Sequence, residues 1–352
     1  MKQEQEPARD DVTEVAPGVL RLQLPIAMPG LGHVNAYALL DGTGAAVVDP
    51  GLPDRASYNV LRRRLADAGI RPRRVHTVLV THSHPDHYGG AGRLADETGA
   101  ALATHAAFRL WWAPGPCDHD VDEVDDADLE AAFGTDRRTT PWGGPGFRFS
   151  RRRRLAMRLA RLGLSRFKAP RPTRRLRHGE RLVLAGREWQ AVHTPGHTLD
   201  HLCLHDPETG TLLSGDHVLP TITPHISGHG TGRDPLKGFL ASLERVAALP
   251  GVATVLPAHG HPFDDLRQRV ADIRRHHGER LDRLRAAFRD AGGGPCTVEE
   301  LSQALFRPAH WGYMAESETY AHLEHLRLVG EVERTQVGER AVYALATRTS
   351  AT

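Results

Sequence analysis

The chain has 352 residues, 40% hydrophobic and 25% charged, with a net charge of +2. This is the balance of one or two ordinary globular domains, and it carries no global nucleic-acid signature. No apolar run approaches the roughly 18 residues of a membrane span, and the polar start Met1-Lys2-Gln3-Glu4 lacks a signal-peptide core, so a cytoplasmic location with no membrane partner is expected.

In chain order, Val19 to Leu24 alternates like a strand with one exposed face. Asn35 to Leu40 and Ala45 to Val48 flank Asp41-Gly42-Thr43-Gly44, which predicts a hairpin that ends at Asp49-Pro50-Gly51. Asp54 to Ile70 places Val60, Leu61, Leu65 and Ala68 on one side of a helix. His76 to Val80 reads as a buried strand running into Thr81-His82-Ser83-His84-Pro85-Asp86-His87-Tyr88-Gly89-Gly90, and Ala91 to Thr98 as a helix behind it.

The middle of the chain is charged. Asp118 to Glu130 holds eight acidic residues and Phe147 to His178 holds twelve arginines, with Gly143-Gly144-Pro145-Gly146 between them. These blocks read as an insertion over about residues 115–178. A solvated helical excursion with mutually offsetting charges is the first reading, and a lid or recognition surface for an anionic substrate is the alternative.

After Gly179 strands resume at Arg181–Leu184, Trp189–His193, Leu202–His205, Thr211–Ser214 and Ala253–Leu256. Both halves thus have strands with polar residues at their ends, which predicts an α/β fold of two face-to-face sheets with helices outside. Residues 273–347 differ in character. Ile273 to Ala291 is an amphipathic helix broken by Gly292-Gly293-Gly294-Pro295. Thr297 and Glu300 have capping-box spacing. Ser317 to Leu328 is a further helix, and Val332–Arg334 with Ala341–Leu345 forms a hairpin around Gly338. This order predicts a small C-terminal winged-helix domain.

Candidate ligands gather at strand ends. His82, His84, Asp86 and His87 put three imidazoles and a carboxylate into six residues. Downstream, Thr194-Pro195-Gly196-His197-Thr198, Ser214-Gly215-Asp216 and Leu256-Pro257-Ala258-His259 each end a strand with one more ligand. Imidazole and carboxylate together suit zinc, with iron or manganese as alternatives. Two metals about 3.5–4 Å apart need roughly three terminal ligands each and a bridge. His82, His84 and His197 would serve one metal, and Asp86, His87 and His259 the other. Asp216 would bridge them. Asp49 would accept a hydrogen bond from a ligand histidine and fix its tautomer.

Other histidines are expected elsewhere. His201 is a candidate for a supporting role like that of Asp49. His217 and His261 adjoin ligands but would point to the opposite side of an extended segment. His225 and His229 read as surface-loop residues, with the substrate cleft as the alternative, and His276 and His277 as solvent-facing. The three cysteines, Cys117, Cys203 and Cys296, are too sparse for a disulfide framework and lack zinc-site spacing. Cys203 reads as a small buried strand residue.

The His-x-His-x-Asp-His segment, Thr194-Pro195-Gly196-His197-Thr198, Gly215-Asp216 and Pro257-Ala258-His259-Gly260 resemble, in order, the motifs of the metallo-β-lactamase superfamily. The resemblance covers about Val12 to Leu266 and implies an αββα sandwich with the metals at one edge of the two sheets, so residues 12–266 would be the catalytic domain. The bridging Asp216 and the paired His82 and His84 are similar to the glyoxalase II-like hydrolases. The C-terminal region, with Pro220-Thr221-Ile222-Thr223-Pro224 after Asp216, is similar to the branch containing β-lactamase-like protein 2, which includes an endoribonuclease.

The resulting expectation is a hydrolase with two zinc ions, whose bridging hydroxide attacks a small-molecule ester or thioester, as in hydroxyacylglutathione hydrolases. Asp86 and Asp216 would act as catalytic residues by orienting that hydroxide. The alternatives are an endoribonuclease acting on single-stranded RNA and a mononuclear iron persulfide dioxygenase using His82 or His84 with His197 and Asp216. A non-catalytic DNA-binding regulator is a fourth reading, which the intact ligand set disfavours.

Overall fold

The computed structural model describes residues 2–110, 124–133, 139–146, 150–151, 154–155, 158–159 and 167–346. Seven strands form the first sheet in chain order: β1 (Val12–Ala16), β2 (Val19–Met28), β3 (Leu31–Leu40), β4 (Ala45–Val48), β5 (Val75–Leu79), β6 (Ala101–His105) and β7 (Arg174–Leu176). The β3–β4 hairpin turns where expected, pairing Leu40 with Ala45, and the Asp41 carboxylate accepts from the Thr43 and Gly44 amides at 2.7 and 2.8 Å. From β4 onward the pairing is parallel.

The second sheet has the order β12-β11-β10-β9-β8, from β8 (Arg181–Leu184), β9 (Arg187–His193), β10 (Leu202–Asp206), β11 (Thr211–Gly215) and β12 (Thr254–Pro257). Its first four strands run antiparallel, and β12 adds parallel to β11.

Three apolar layers hold the sandwich together. Between the sheets lie Tyr37, Leu39, Val48, Leu79, Trp189, Leu204 and Leu256. Outside the first sheet, α1 (Arg55–Asp67) and α3 (Ala91–Thr98) contribute Tyr58, Leu61 and Leu94 to a second layer. Outside the second sheet, α5 (Pro235–Ala247) and α6 (Leu266–Asp290) build the third. The αββα expectation is thereby met.

Strand β2 corrects one detail. Leu22 and Leu24 are buried on the helix-covered side, but so are Val19, Arg21 and Gln23 on the other, because the sheet is covered on both faces. Alternation here separates an apolar face from a mixed one, not inside from outside.

Helix α6 starts at Leu266, seven residues before the expected Ile273, because Asp265 caps the Gln268 amide at 3.0 Å and Leu266 and Val270 are buried. After it come α7 (Val298–Leu305), with both halves of the Thr297–Glu300 capping box, and α8 (Tyr313–Leu328). A three-stranded sheet follows, β14 (Val332–Val337) and β15 (Arg340–Leu345) with β13 (Cys296–Thr297). Leu301, Leu323, Leu326 and Tyr343 join the same apolar layer as α5 and α6.

Part of the expected charged insertion, including Cys117 and residues 118–123 of the acidic block, falls outside the described residues. Within it, α4 (Asp126–Phe133) is helical. The stretch 139–146 departs from a solvated excursion: Trp142 is buried against Tyr320 and Tyr313 and donates its indole N–H to Glu316 at 2.9 Å. Among the described residues no helix is long and apolar enough to cross a membrane.

Candidate metal centre

The site forms where parallel pairing aligns strand ends. Val48 of β4 is paired with Leu79 of β5, and Gly215 of β11 with Pro257 of β12. Asp49, His82, Asp216 and His259 therefore leave four strands at one edge of the sandwich. His197 arrives from the carboxyl end of β9, which runs parallel to β11 through the intervening β10. Open α/β sheets bind ligands at this edge. Pro85 opens the one-turn helix α2 (Pro85–Tyr88), which swings Asp86 and His87 back beneath His82 and His84.

All the expected ligands converge. His82, His84, His197 and Asp216 offer ligand atoms within 4.8 Å of one another, and Asp86, His87 and His259 do the same. His84 Nδ1 lies 3.0 Å from both His82 Nε2 and His197 Nε2. Asp216 Oδ2 is 3.5 Å from His197 Nε2 and 3.6 Å from His87 Nε2, while its Oδ1 is 3.4 Å from His259 Nε2. Asp216 thus faces both groups. Asp86 Oδ2 is 3.5 Å from both His87 Nε2 and His259 Nε2. A tetrahedral ion with bonds near 2.0–2.1 Å has ligand–ligand edges of about 3.3–3.4 Å. The spacings of 3.4–3.6 Å around Asp216 and Asp86 are close to such edges, and the two 3.0 Å distances to His84 are shorter.

Behind the cluster the far nitrogens are fixed. His87 Nδ1 donates to Asp49 Oδ2 at 2.9 Å, His197 Nδ1 to the His225 carbonyl at 2.8 Å and His259 Nδ1 to the His33 carbonyl at 2.6 Å. Thr81 Oγ1 donates to Asp49 at 2.7 Å and so accepts from His82 Nδ1 at 3.0 Å. Each of these rings is left with a bare Nε2 pointing inward, the tautomer a metal requires. Asp49 itself has a φ of 51°, a left-handed conformation that costs about 1–3 kcal/mol and is held by Thr81 and His87.

Three inward atoms lack protein partners. His87 Nε2, His259 Nε2 and Asp216 Oδ1 are buried without a hydrogen bond. Orphaned polar atoms at one point of a well-bonded interior call for an ion. Electrostatics agree. Burial works against a charge on His259, yet the Asp216 and Asp86 carboxylates outweigh it and push the imidazole up to about 10. His87 is raised in the same way, by Asp86, Asp216 and Asp49. Burial, and then His197, instead push His84 down to about 3. Protons on His87 and His259 and a cation between the carboxylates answer the same negative charge. The donor set fits divalent metal ions.

Supporting residues divide into expected and unexpected ones. His201 Nε2 accepts from the Asp216 amide at 3.0 Å, and a Cβ on Gly215, whose φ is 51°, would come within 2.6 Å of that nitrogen. His201 thus holds the bridge's backbone. His261 turns away to Glu6 and Arg21, as expected. His217 is fully buried against Phe239. His277 corrects a sequence reading: it is buried and bonded to His322 at 3.1 Å, not solvent-facing, because α8 covers that side of α6.

Sequence reasoning missed Thr81 and His33. It also missed Asn35 and Tyr37, which donate to the Pro257 carbonyl at 2.8 and 2.7 Å and brace the His259 loop. A signal was present: His33, Asn35 and Tyr37 alternate with Val34, Ala36 and Ala38, a polar face on a buried strand. Glu4 was missed as well. It is fully buried and accepts from the amides of Thr221 and Ile222 at 2.8 and 3.0 Å, tying the N-terminal segment to the loop after Asp216.

Comparison with known proteins agrees with this geometry. The family model of the metallo-beta-lactamase superfamily matches residues 29–259. A metallo-beta-lactamase family protein from Thermus thermophilus, of known structure, is 31% identical, with 94% of this chain and all of that one aligned at a TM-score of 0.72. The probable metallo-hydrolase YqjP of Bacillus subtilis is 24% identical over 87% of this chain and 91% of its own length. The lactamase-like protein vrtG of Penicillium aethiopicum is 33% identical, but over 38% of this chain and only 42% of its own length. The fold, the converging ligands and these likenesses lead to one conclusion: the chain belongs to the metallo-beta-lactamase superfamily.

Proposed function

We propose that the protein is a dinuclear hydrolase of small-molecule esters or thioesters, with zinc as its metal. The observation that carries this reading is Asp216, whose carboxylate lies 3.4–3.6 Å from ligand nitrogens of both groups, His197 on one side and His87 and His259 on the other. His82, His84 and His197 would hold one ion, Asp86, His87 and His259 the other, and Asp216 both. When bound, the two ions acidify a water and polarise the electrophilic oxygen of the substrate.

The chain's own residues supply orientation and proton handling. Asp86 and Asp216 carry carboxylate oxygens at the centre of the cluster and accept hydrogen bonds from the attacking water. Asp49, Thr81, His33 and the His225 carbonyl keep the imidazoles from turning. A side-chain nucleophile is not needed, and the Cys203 thiol is unsuited: burial pushes it up to about 12, and its sulfur donates to the Ser214 carbonyl at 3.4 Å. We read residues 273–347 as a winged-helix unit that closes the outer face of the second sheet.

A panel of thioesters, lactones, β-lactams and single-stranded RNA tests the reading. Metal-dependent turnover of esters or thioesters well above the other classes is expected. RNA cleavage with inert thioesters and esters would replace this reading with the nuclease one.

A further inference from the structure

We propose that Glu318, acting through His225, is a positioning residue for His197, so that the C-terminal helix α8 fixes one side of the metal cluster. This rests on the dinuclear reading above, in which His197 is a ligand. The path is short. His197 Nδ1 donates to the His225 carbonyl at 2.8 Å, and the His225 ring Nδ1 lies 3.3 Å from Glu318 Oε2. The other Glu318 oxygen is held by Arg280 of α6.

Neighbouring residues clamp the same loop to the same helix. The Gly228 amide donates to the Ser317 carbonyl at 3.1 Å, and Ser227 Oγ lies 3.2 Å from Ser317 Oγ. A Cβ at Gly228 would come within 2.6 Å of Tyr320 Cδ1, so loop and helix are in direct contact. Ile226, between these anchors, is fully buried. The segment carrying the His225 carbonyl therefore takes its position from α8.

Glu318 also lies near His277 and His322, with ligand atoms of the three within 4.8 Å. That group is a hydrogen-bond chain with one buried atom, His277 Nε2, left without a partner. His322 Nδ1 donates to the Glu318 carbonyl at 2.7 Å, which leaves its Nε2 to accept from His277 Nδ1 at 3.1 Å. Both Glu318 oxygens are engaged, and Arg280 already supplies the positive charge. The arrangement is that of a clamp with a single unpartnered nitrogen, whereas in the other cluster His87 Nε2, His259 Nε2 and Asp216 Oδ1 are left without partners at one point.

The test uses the full chain loaded with Co(II) as a spectroscopic probe. Glu318→Ala, Glu318→Gln and Arg285→Ala are compared with the parent. Arg285→Ala breaks an α6 ion pair to Glu331 that touches no part of the loop. Glu318→Ala should weaken one of the two cobalt ions by about 10–100-fold in chelator competition. It should also shift that ion's d–d band and lower kcat more than KM. Glu318→Gln keeps an oxygen for His225 and should recover most of the affinity. Arg285→Ala should lower Tm and leave affinity and band unchanged. Should Glu318→Ala not fold, His225→Ala, at a partly exposed position, serves the same comparison.

Parental affinity and spectrum in the Glu318 and His225 variants overturn the proposal. So does an equal change in Arg285→Ala. A parent chain that binds no second ion overturns the dinuclear reading instead, separately from any variant.

Discussion

Asp49 is where the site's precision is concentrated. Its carboxylate accepts from His87, from the Thr81 amide and from the Thr81 hydroxyl, all between 2.7 and 2.9 Å. Asp49→Asn should fold, keep every ligand and still lose about 10–100-fold in metal affinity or kcat/KM. Chelator competition checks this, and parental affinity would show that His87 needs no orienting partner. A second consequence concerns protons. In the metal-free protein His259 is raised to about 10 by Asp216 and Asp86. A raised imidazole contributes stability that is fully present below its unfolded value of about 6.5 and is lost as pH climbs through the folded value. A dication must displace that proton. Metal uptake should therefore release protons and tighten between about pH 7 and 9. Calorimetry in buffers of different ionisation enthalpy measures the release, and buffer-independent heats would contradict it. At this scale ligands were legible because their residue types and spacing at strand ends are unusual. The partners behind them were not: His33 and His225 act through backbone carbonyls, which any residue possesses.

At the scale of elements, the carboxyl ends of β4, β5, β9, β11 and β12 form one edge, and each delivers a functional group within a few residues of its last hydrogen bond. Strand and turn chemistry made this readable, from the Asp41–Gly44 turn to the Pro-Gly turn before His197. Helix α5 was missed, although Pro235 at its start and Leu236, Phe239, Leu243 and Val246 on its buried face carry the helical period. The N-terminal segment was missed for a different reason. A buried Glu4 has no periodic signal, since its burial depends on amides more than two hundred residues away. Two substitutions separate local from tertiary support. Thr297→Ala removes the capping box of α7 and should cost about 1 kcal/mol without touching turnover. Glu4→Ala removes the acceptor of the partly exposed Thr221 and Ile222 amides and should cost about 0.5–1.5 kcal/mol, with a fall in kcat because the loop after Asp216 loosens. Denaturant melts and steady-state kinetics on both variants check the contrast. Unchanged turnover in Glu4→Ala would leave the segment a merely structural tie.

For the whole molecule, the sandwich has three apolar layers, and the outermost runs without a break from the second sheet through α5 and α6 into α7, α8 and the hairpin. The C-terminal order of helices and hairpin was legible, but the continuity of this layer was not, because packing partners are not written in local periodicity. Trp142 shows the same limit, since a tryptophan within a charged insertion turns out to dock on α8. The C-terminal helices thus border the catalytic edge as well as the core, and the central claim remains the pair of ligand groups joined by Asp216. Metal content of the active protein tests it most directly, measured by elemental analysis alongside ester or thioester turnover for the parent and for Asp216→Asn. Two divalent ions per chain are expected in the parent. Asp216→Asn should lose at least one ion and more than about 100-fold in kcat/KM, beyond the range of an outer partner's removal. A fully active parent with one iron per chain, or an Asp216→Asn variant with both ions and undiminished turnover, would contradict that claim.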